Sequence, residues 1–546
     1  MEIRTNAQLE KMRLDEILYY MFFGILFAAK GVGMSWGEKP FMLCMSAALL
    51  CFAVKMLLTK YSLREWIVML CLIGLGIVIW NQSGEQAALF AFLVIIGMKN
   101  IPVKRLMKFC FAVWSAAFFF SAVLGILHIH DGVVVVHQKL GLGPVIRWSW
   151  GLTHPNVLHV SYLIWVMLFI YVCDLSGRRL WKASAMLFLG NIFVFLYSIS
   201  YTGILIVTGY LVLNLYLNAR KRLSFVEKGV LECILPFCVI FPIAGPFLTH
   251  GKVFDFFNDL LSTRFALVKM FFTDFKLSLF GTAARYENTV AHLTLDSSFA
   301  YMLMLYGFVA FVLFMAAYLF IIHRFIRCEQ KKELAIVLAI CMAGITEQFL
   351  FNLSFKNLTF FFLGEFLFEL LASKKVKDSI WTQERALLPF NGTIGCHSNP
   401  AKYLVSGTFR LWKQRKVMAV AFAAGIIAAF ICAFGIQMPE NVYVNRGLTE
   451  YRNKGEEGFL DLEKVPDDFN SMVIGYEGPD VGMYCFEGNI IKLEWIRNVA
   501  GAYALGMGAV WGVSGASGAF IGICEWKRRG GKVWFAAETQ KKRQGK

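Results

Sequence analysis

Residues 298–322 read Ser298-Phe-Ala-Tyr-Met-Leu-Met-Leu-Tyr-Gly-Phe-Val-Ala-Phe-Val-Leu-Phe-Met-Ala-Ala-Tyr-Leu-Phe-Ile-Ile322, without one charged side chain. A helix rises about 1.5 Å per residue and a bilayer core is about 30 Å thick, so this run is long enough to cross a membrane. Apolar runs of comparable length recur on both sides of it. Of 546 residues, 58% are hydrophobic and 17% charged; a soluble domain carries about 25% charged residues. The chain is predicted to be an all-α polytopic membrane protein.

The apolar pattern predicts about fourteen spanning helices. They fall near 15–36, 40–59, 66–80, 87–98, 107–128, 157–174, 180–199, 203–218, 230–249, 298–322, 334–351, 358–372, 417–436 and 499–524. The pair 66–80 and 87–98 is short and is open to reading as a re-entrant hairpin. The predicted organisation is a twelve-helix body over 1–372, a cytoplasmic linker over 373–416, and an appended hairpin over 417–546 that displays 437–498. Small residues at four-residue spacing, Ala421, Gly425, Ala429 and Ala433, then Gly508/Gly512 and Gly518/Gly522, suit close helix packing in lipid.

The formal net charge of +17 does not point to nucleic acid, because Lys and Arg sit in short runs beside apolar segments. Lys99/Lys104/Arg105, Arg178/Arg179/Lys182, Arg220/Lys221/Arg222 and Arg324/Arg327/Lys331/Lys332 fall on alternate connections. The positive-inside bias then places both termini in the cytoplasm, and 129–156, 250–297 and 437–498 outside. Most cysteines, Cys110 and Cys238 among them, lie inside apolar runs and act as small hydrophobes. No disulfide framework, metal-ligand spacing or cofactor motif is found, and no phosphate-cradling glycine loop.

The outer segments hold charges that membrane insertion does not require. Loop 250–297 carries Arg264, Arg285, His292 and Asp296. Arg147-Trp-Ser-Trp-Gly-Leu-Thr-His154-Pro155-Asn156 precedes the 157–174 run. Pro155 and Thr153 suit a helix start, and Trp148 and Trp150 suit an interface belt, but neither role explains Arg147 or His154. Helix N-termini attract anions, and guanidinium forks bind phosphate oxygens bidentately. Ser198-Ile-Ser-Tyr201-Thr202-Gly203 reads as a tight turn, for structure or for substrate contact. Glu347 falls within the expected 334–351 span, where a carboxylate is costly and faces a partner or a cavity. A proton relay, an arginine partner and a catalytic base are all open to it.

At these residues the chain resembles the O-antigen and capsular-polysaccharide repeat-unit polymerases, whose superfamily also holds the O-antigen ligases. Gly151-Leu-Thr-His154-Pro155-Asn156 is similar to the family's Gly-x-x-His-Pro-Asn stretch. Ser200-Tyr201-Thr202-Gly203 resembles its Ser-Arg-Thr-Gly turn, with tyrosine in place of arginine. Ser262-Thr-Arg264, Leu279-Phe-Gly281, Asp296-Ser-Ser-Phe-Ala-Tyr301 and Leu305-Tyr306-Gly307 resemble its large outer loop and following helix. Ser297 stands where asparagine is common, and the terminal hairpin lies outside the resemblance.

The resemblance implies a bacterial multi-pass enzyme that needs no cofactor. Its substrate would be an oligosaccharide on undecaprenyl diphosphate, moved at the outer leaflet onto a hydroxyl of another lipid-linked unit. Membrane lipid, a chain-length regulator and a flippase of the same pathway are the expected partners. Arg147, Asn156, Tyr201, Arg264, Arg285 and Tyr301 are the expected substrate contacts. His154, His292, Asp296 and Glu347 are the candidates for base. The alternatives are a ligase that moves finished glycan to a final acceptor, and a flippase or transporter of lipid-linked oligosaccharide. A transporter predicts cations along many helix interiors; here they gather towards one face.

Overall fold

The computed structural model describes residues 10–130, 132–139, 143–261, 263–286, 294–372, 381, 383–388, 390–396, 400–435, 442–445, 470–475, 483–486, 489–528 and 533–539. The described residues are mostly helical. It opens with β1 (Glu10–Arg13), α1 (Leu14–Gly31), α2 (Lys39–Leu58), α3 (Leu63–Ser83), α4 (Ala87–Ile96) and α5 (Val103–Ile126). A hairpin, β2 (Val135–Lys139) and β3 (Gly143–Arg147), leads into α6 (Pro155–Val172), α7 (Gly177–Ser198), α8 (Tyr201–Ala219) and α9 (Phe225–Leu248). Two short helices follow, α10 (Gly251–Leu260) and α11 (Arg264–Asp274). A long helix then begins as α12 (Ser298–Tyr301), passes a π turn at Met302–Tyr306 and continues as α13 (Gly307–Arg327). After α14 (Lys331–Ala343) and α15 (Thr359–Ala372) come β4 (Phe390–Cys396), α16 (Pro400–Trp412) and α17 (Arg415–Gly435). The order closes with β5 (Val442–Asn445), β6 (Asn470–Gly475), β7 (Met483–Phe486), α18 (Asn489–Arg528) and β8 (Val533–Thr539).

Among the described residues, ten helices are long and apolar enough to cross a membrane, where the sequence pattern gave fourteen. The difference has four sources. Helix α1 carries Asp15, Glu16 and Lys30 within its 18 residues. Helices α4, α14 and α15 are 10, 13 and 14 residues long. Helix α3, expected to be short, runs for 21 residues because a Ser62–Glu65 capping box starts it before the apolar run. The expected 334–351 span stops at Ala343, where Gly344 ends the α-helix, so Glu347 lies in a connection whose only regular piece is a 3₁₀ turn at Gln348–Leu350.

That connection, 344–358, is mostly buried, so its carbonyls need partners. Side chains supply them. Arg264 reaches Thr346 O at 2.6 Å, and Asn357 Nδ2 reaches Leu350 O at 2.9 Å. Ser354 donates to Phe349 O, Tyr306 to Phe351 O and Ser298 to Glu347 O. The polar residues scattered through this apolar region thus hold a loop, not a helix.

Two sheets tie distant parts of the chain together. The first has the order β1–β4–β8 and joins residues 10–13, 390–396 and 533–539 at one end of the bundle. The second has the order β3–β2–β6–β5–β7 and joins the 129–156 and 437–498 segments at the other end. Near the first sheet the bundle holds a partly buried charge network. Glu16 pairs with Arg105, and Lys99 pairs with Glu65 and Glu384. Asp15 accepts from Thr59. The stretch 373–416, read as a linker, contributes β4 and α16 to this end.

Helices α16 and α17 pack against α18 through small residues. A Cβ on Gly425 would press on the Tyr503 ring, and one on Gly407 would overlap Gly518 O. Gly508 and Gly512, expected at that contact, face open space.

Candidate functional site

The site lies beside the second sheet, where four parts of the chain deliver five charges. Hairpin β2–β3 presents Lys139 at the end of one strand and Arg147 at the end of the other. Arg264 is the first residue of α11, set by Thr263 in the left-handed conformation at φ 67°. Asp296 precedes α12, and Glu347 comes from the 344–358 connection.

Arg264 is the hub. Its Nη2 lies 3.2 Å from Asp296 Oδ2 and 3.4 Å from Glu347 Oε1. Its Nε donates to Thr346 O, and its Nη1 donates to Leu261 O at 2.9 Å. Thr202 Oγ1 donates to Glu347 Oε1 at 3.2 Å. Arg147 Nε donates to Ser198 O at 2.7 Å, and its Nη2 donates to Asn156 Oδ1 at 2.5 Å. The guanidinium of Arg147 is thereby fixed between the 198–203 turn and the start of α6.

Burial sets the electrostatics. Arg147 and Arg264 are 2% and 6% exposed, while the Asp296 side chain keeps 34%. Asp296 is thus the member of the cluster most open to the surroundings. Burial pushes the Glu347 carboxyl up to about 7; Arg264 opposes this and Asp296 adds to it. Burial pushes the Lys139 ammonium down to about 7, helped by Arg147 and Arg264 and opposed by Glu347. Arg147, lowered by burial to about 10, stays a cation at neutral pH.

Lys139 differs from its neighbours. It is 8% exposed, and among the described residues its ammonium makes no hydrogen bond or ion pair. It stands 5.7 Å from the centre of the Tyr201 ring. A buried cation without a counter-ion is costly, and an anionic ligand would remove that cost.

The local backbone is strained where it serves these contacts. Ile199 adopts φ 40° and Trp150 φ 50°, both unusual for side-chain-bearing residues. Strain of this kind collects at sites whose surroundings over-determine them. Ser200 caps α8 by accepting from Gly203 N. Gly203 has no Cβ because the His159 ring occupies that space.

The candidates read from the sequence divide. Arg147, Asn156, Arg264, Asp296 and Glu347 are brought together, and Tyr201 lies under Lys139. His154 caps α6, its Nδ1 accepting from Asn156 N at 3.1 Å. Arg285 and Tyr301 form a separate group: Arg285 lies against Gly84, and Tyr301 lies near Glu85 and Arg285. His292 lies outside the described residues.

Three contributors were not read from the sequence. Lys139 sits among valines in a strand with no catalytic pattern. His159 is fully buried, with Nδ1 2.9 Å from Ser198 Oγ and Nε2 2.6 Å from Asn191 Oδ1. Because Asn191 Nδ2 donates to Ile204 O, its Oδ1 accepts, and His159 Nε2 carries the proton. Both ring nitrogens are therefore used in holding the 198–203 turn.

The third contributor is the start of α18. Glu494 accepts from Trp148 Nε1 at 3.1 Å and pairs with Arg497. Arg497 Nε donates to Leu196 O at 2.5 Å, and the Tyr197 hydroxyl donates to Arg497 O at 2.7 Å. Strand β6 also pairs with β2, the strand that ends in Lys139. The C-terminal segment thus grips the hairpin that carries two of the site's cations. No protein-family model, curated protein or solved structure matches the chain.

Proposed function

We propose that this chain is a membrane-embedded glycosyltransferase that joins oligosaccharide repeat units carried on undecaprenyl diphosphate into a surface polysaccharide. The observation that carries the reading is the buried cradle of Lys139, Arg147 and Arg264 around Glu347, with the Lys139 ammonium unpartnered among the described residues. The cradle suits a diphosphate, and Glu347 suits a proton acceptor working near neutral pH. The ion pairs at the opposite end, Lys99 with Glu65 and Arg105 with Glu16, fit an enzyme working from one face better than a transporter with a continuous path.

The acceptor hydroxyl attacks the anomeric carbon of the donor glycan. Its proton passes to Glu347 as the new carbon–oxygen bond forms. The bond from the anomeric carbon to the diphosphate oxygen breaks, and that oxygen leaves with the electron pair. Charge builds on the diphosphate at this moment, where Lys139, Arg147 and Arg264 stabilise it. Glu347 then returns its proton to water or to the departing diphosphate. No metal or nucleotide is required, because the donor is already activated.

Glu347→Gln keeps the shape and the Thr202 contact but removes the base. Cells carrying it should accumulate lipid-linked single repeats, read by mass spectrometry of extracted lipids. Accumulation of long lipid-linked polymer would instead identify a ligase. Normal chain length would overturn the assignment of Glu347.

A further inference from the structure

A second unpartnered cation lies deeper. Lys356 is 3% exposed, and among the described residues its ammonium makes no hydrogen bond or ion pair. It sits 5.7 Å from the centre of the Trp114 ring. Lys30 stands nearby at the end of α1, donating to Met34 O at 3.1 Å and lying 4.1 Å from the centre of the Phe41 ring.

The packing joins these lysines to the entrance of α6. A Cβ on Gly31 would sit 3.3 Å from Trp114, and Gly33 abuts the backbone of Gly151 and Leu152, just before His154. Trp114 Nε1 donates to Ser161 O on α6 at 2.9 Å. The charges felt by Lys356 are those of Lys30 and Glu347, whereas those felt by Lys139 are Arg147, Arg264 and Glu347. Glu347 is the group common to both sets. Lys356 and Lys30 repel each other in a dry setting; Lys356 feels the carboxylate of Glu347 and Lys30 that of Glu38, yet among the described residues neither ammonium makes an ion pair.

We infer that Lys356 and Lys30 form a second diphosphate subsite, which holds the headgroup of the acceptor lipid while the Lys139–Arg147–Arg264 cradle holds that of the donor. The inference rests on the glycosyltransferase reading above. It places Glu347 between two headgroups, where a base must stand if it is to take a proton from one lipid-linked sugar as another is transferred.

The test is equilibrium binding of radiolabelled undecaprenyl diphosphate, without glycan, to the full-length protein in phosphatidylcholine nanodiscs. The wild type should bind two equivalents. Lys356→Met and Lys30→Met should each lose one, and Arg264→Ala should lose the other. Lys30→Met carries the test if Lys356→Met does not fold. A wild type that binds one equivalent, unchanged in both lysine variants, overturns the subsite. Two equivalents retained in both lysine variants also overturns it and leaves packing as their role. Equal affinity of the lysine subsite for inorganic pyrophosphate overturns the lipid assignment. If the lysine variants lose one equivalent while Arg264→Ala keeps both, the cradle reading fails and the second subsite stands.

Discussion

Replacing Arg264 by glutamine tests the cradle and the base together. The variant removes the cation 3.4 Å from Glu347 and 3.2 Å from Asp296 while keeping a polar side chain of similar reach. An opposite charge within about 4–6 Å lowers a carboxyl pKa by about 1–3 units. Glu347 stands at about 7 with Arg264 in place, because burial outweighs the pairing. Without Arg264 it should rise to about 8–10, so the ionised fraction at pH 7 falls from about one-half to about 0.1–10%. Loss of base therefore accounts for about a five- to five-hundred-fold drop in rate at pH 7, which raising the pH restores. Loss of a preorganised donor to the leaving group adds a further drop of about 10²–10³, which pH does not restore.

The assay is the initial rate of repeat-unit polymerisation by the purified protein in nanodiscs, measured from pH 5 to 10. The acidic limb of the variant's profile should move in the alkaline direction. The alkaline limb should follow, since Arg264 also helps to push Lys139 down. An acidic limb that stays in place while the rate falls would refute Glu347 as the base. An unchanged rate would refute the cradle itself.

Three further outcomes are expected. Lys139 loses its proton as pH rises through about 7, so anion binding by the free enzyme should weaken above neutrality; Lys139→Arg should extend kcat/KM to higher pH. An unaltered alkaline limb would remove Lys139 from the site. Glu494→Ala leaves the Arg497 charge buried and unpaired, and should lower stability by about 3–5 kcal/mol by thermal melting in nanodiscs; a Glu494→Met, Arg497→Met double variant should lose less. Gly281→Ala should destabilise by about 1–3 kcal/mol, because φ there is +94° and the added carbon would overlap Leu305 O. A melting temperature equal to that of the wild type would show that this loop can shift freely.

Hydropathy gave most of the spans, because crossing a bilayer imposes length and composition on each helix separately. It could not give the end of α14. Residues 344–351 are apolar enough to have been read as the end of a helix, and side chains such as Arg264 and Ser298, from α11 and α12, show that the carbonyls are satisfied otherwise. The meeting of Arg147, Arg264, Asp296 and Glu347 was foreshadowed by charges gathered on one face. Lys139 carried no such sign, since its place depends on pairing between strands. Glu494 and Arg497 lay in a segment without a catalytic pattern, and their role rests on contact with residues some 300 positions earlier. Arg285 was grouped with Arg264 by nearness in sequence, yet the fold turns it towards Gly84.

The β1–β4–β8 sheet has a consequence for biogenesis. Its middle strand, 390–396, must pair with 10–13 on one side and with 533–539 on the other. During synthesis the early strand is held open until nearly four hundred residues have been added, and the last seam closes only when β8 emerges. Helices can enter the bilayer one after another, but this clasp cannot form piecemeal. A bulky fusion placed directly after β8 would meet the nascent protein at its final zippering event.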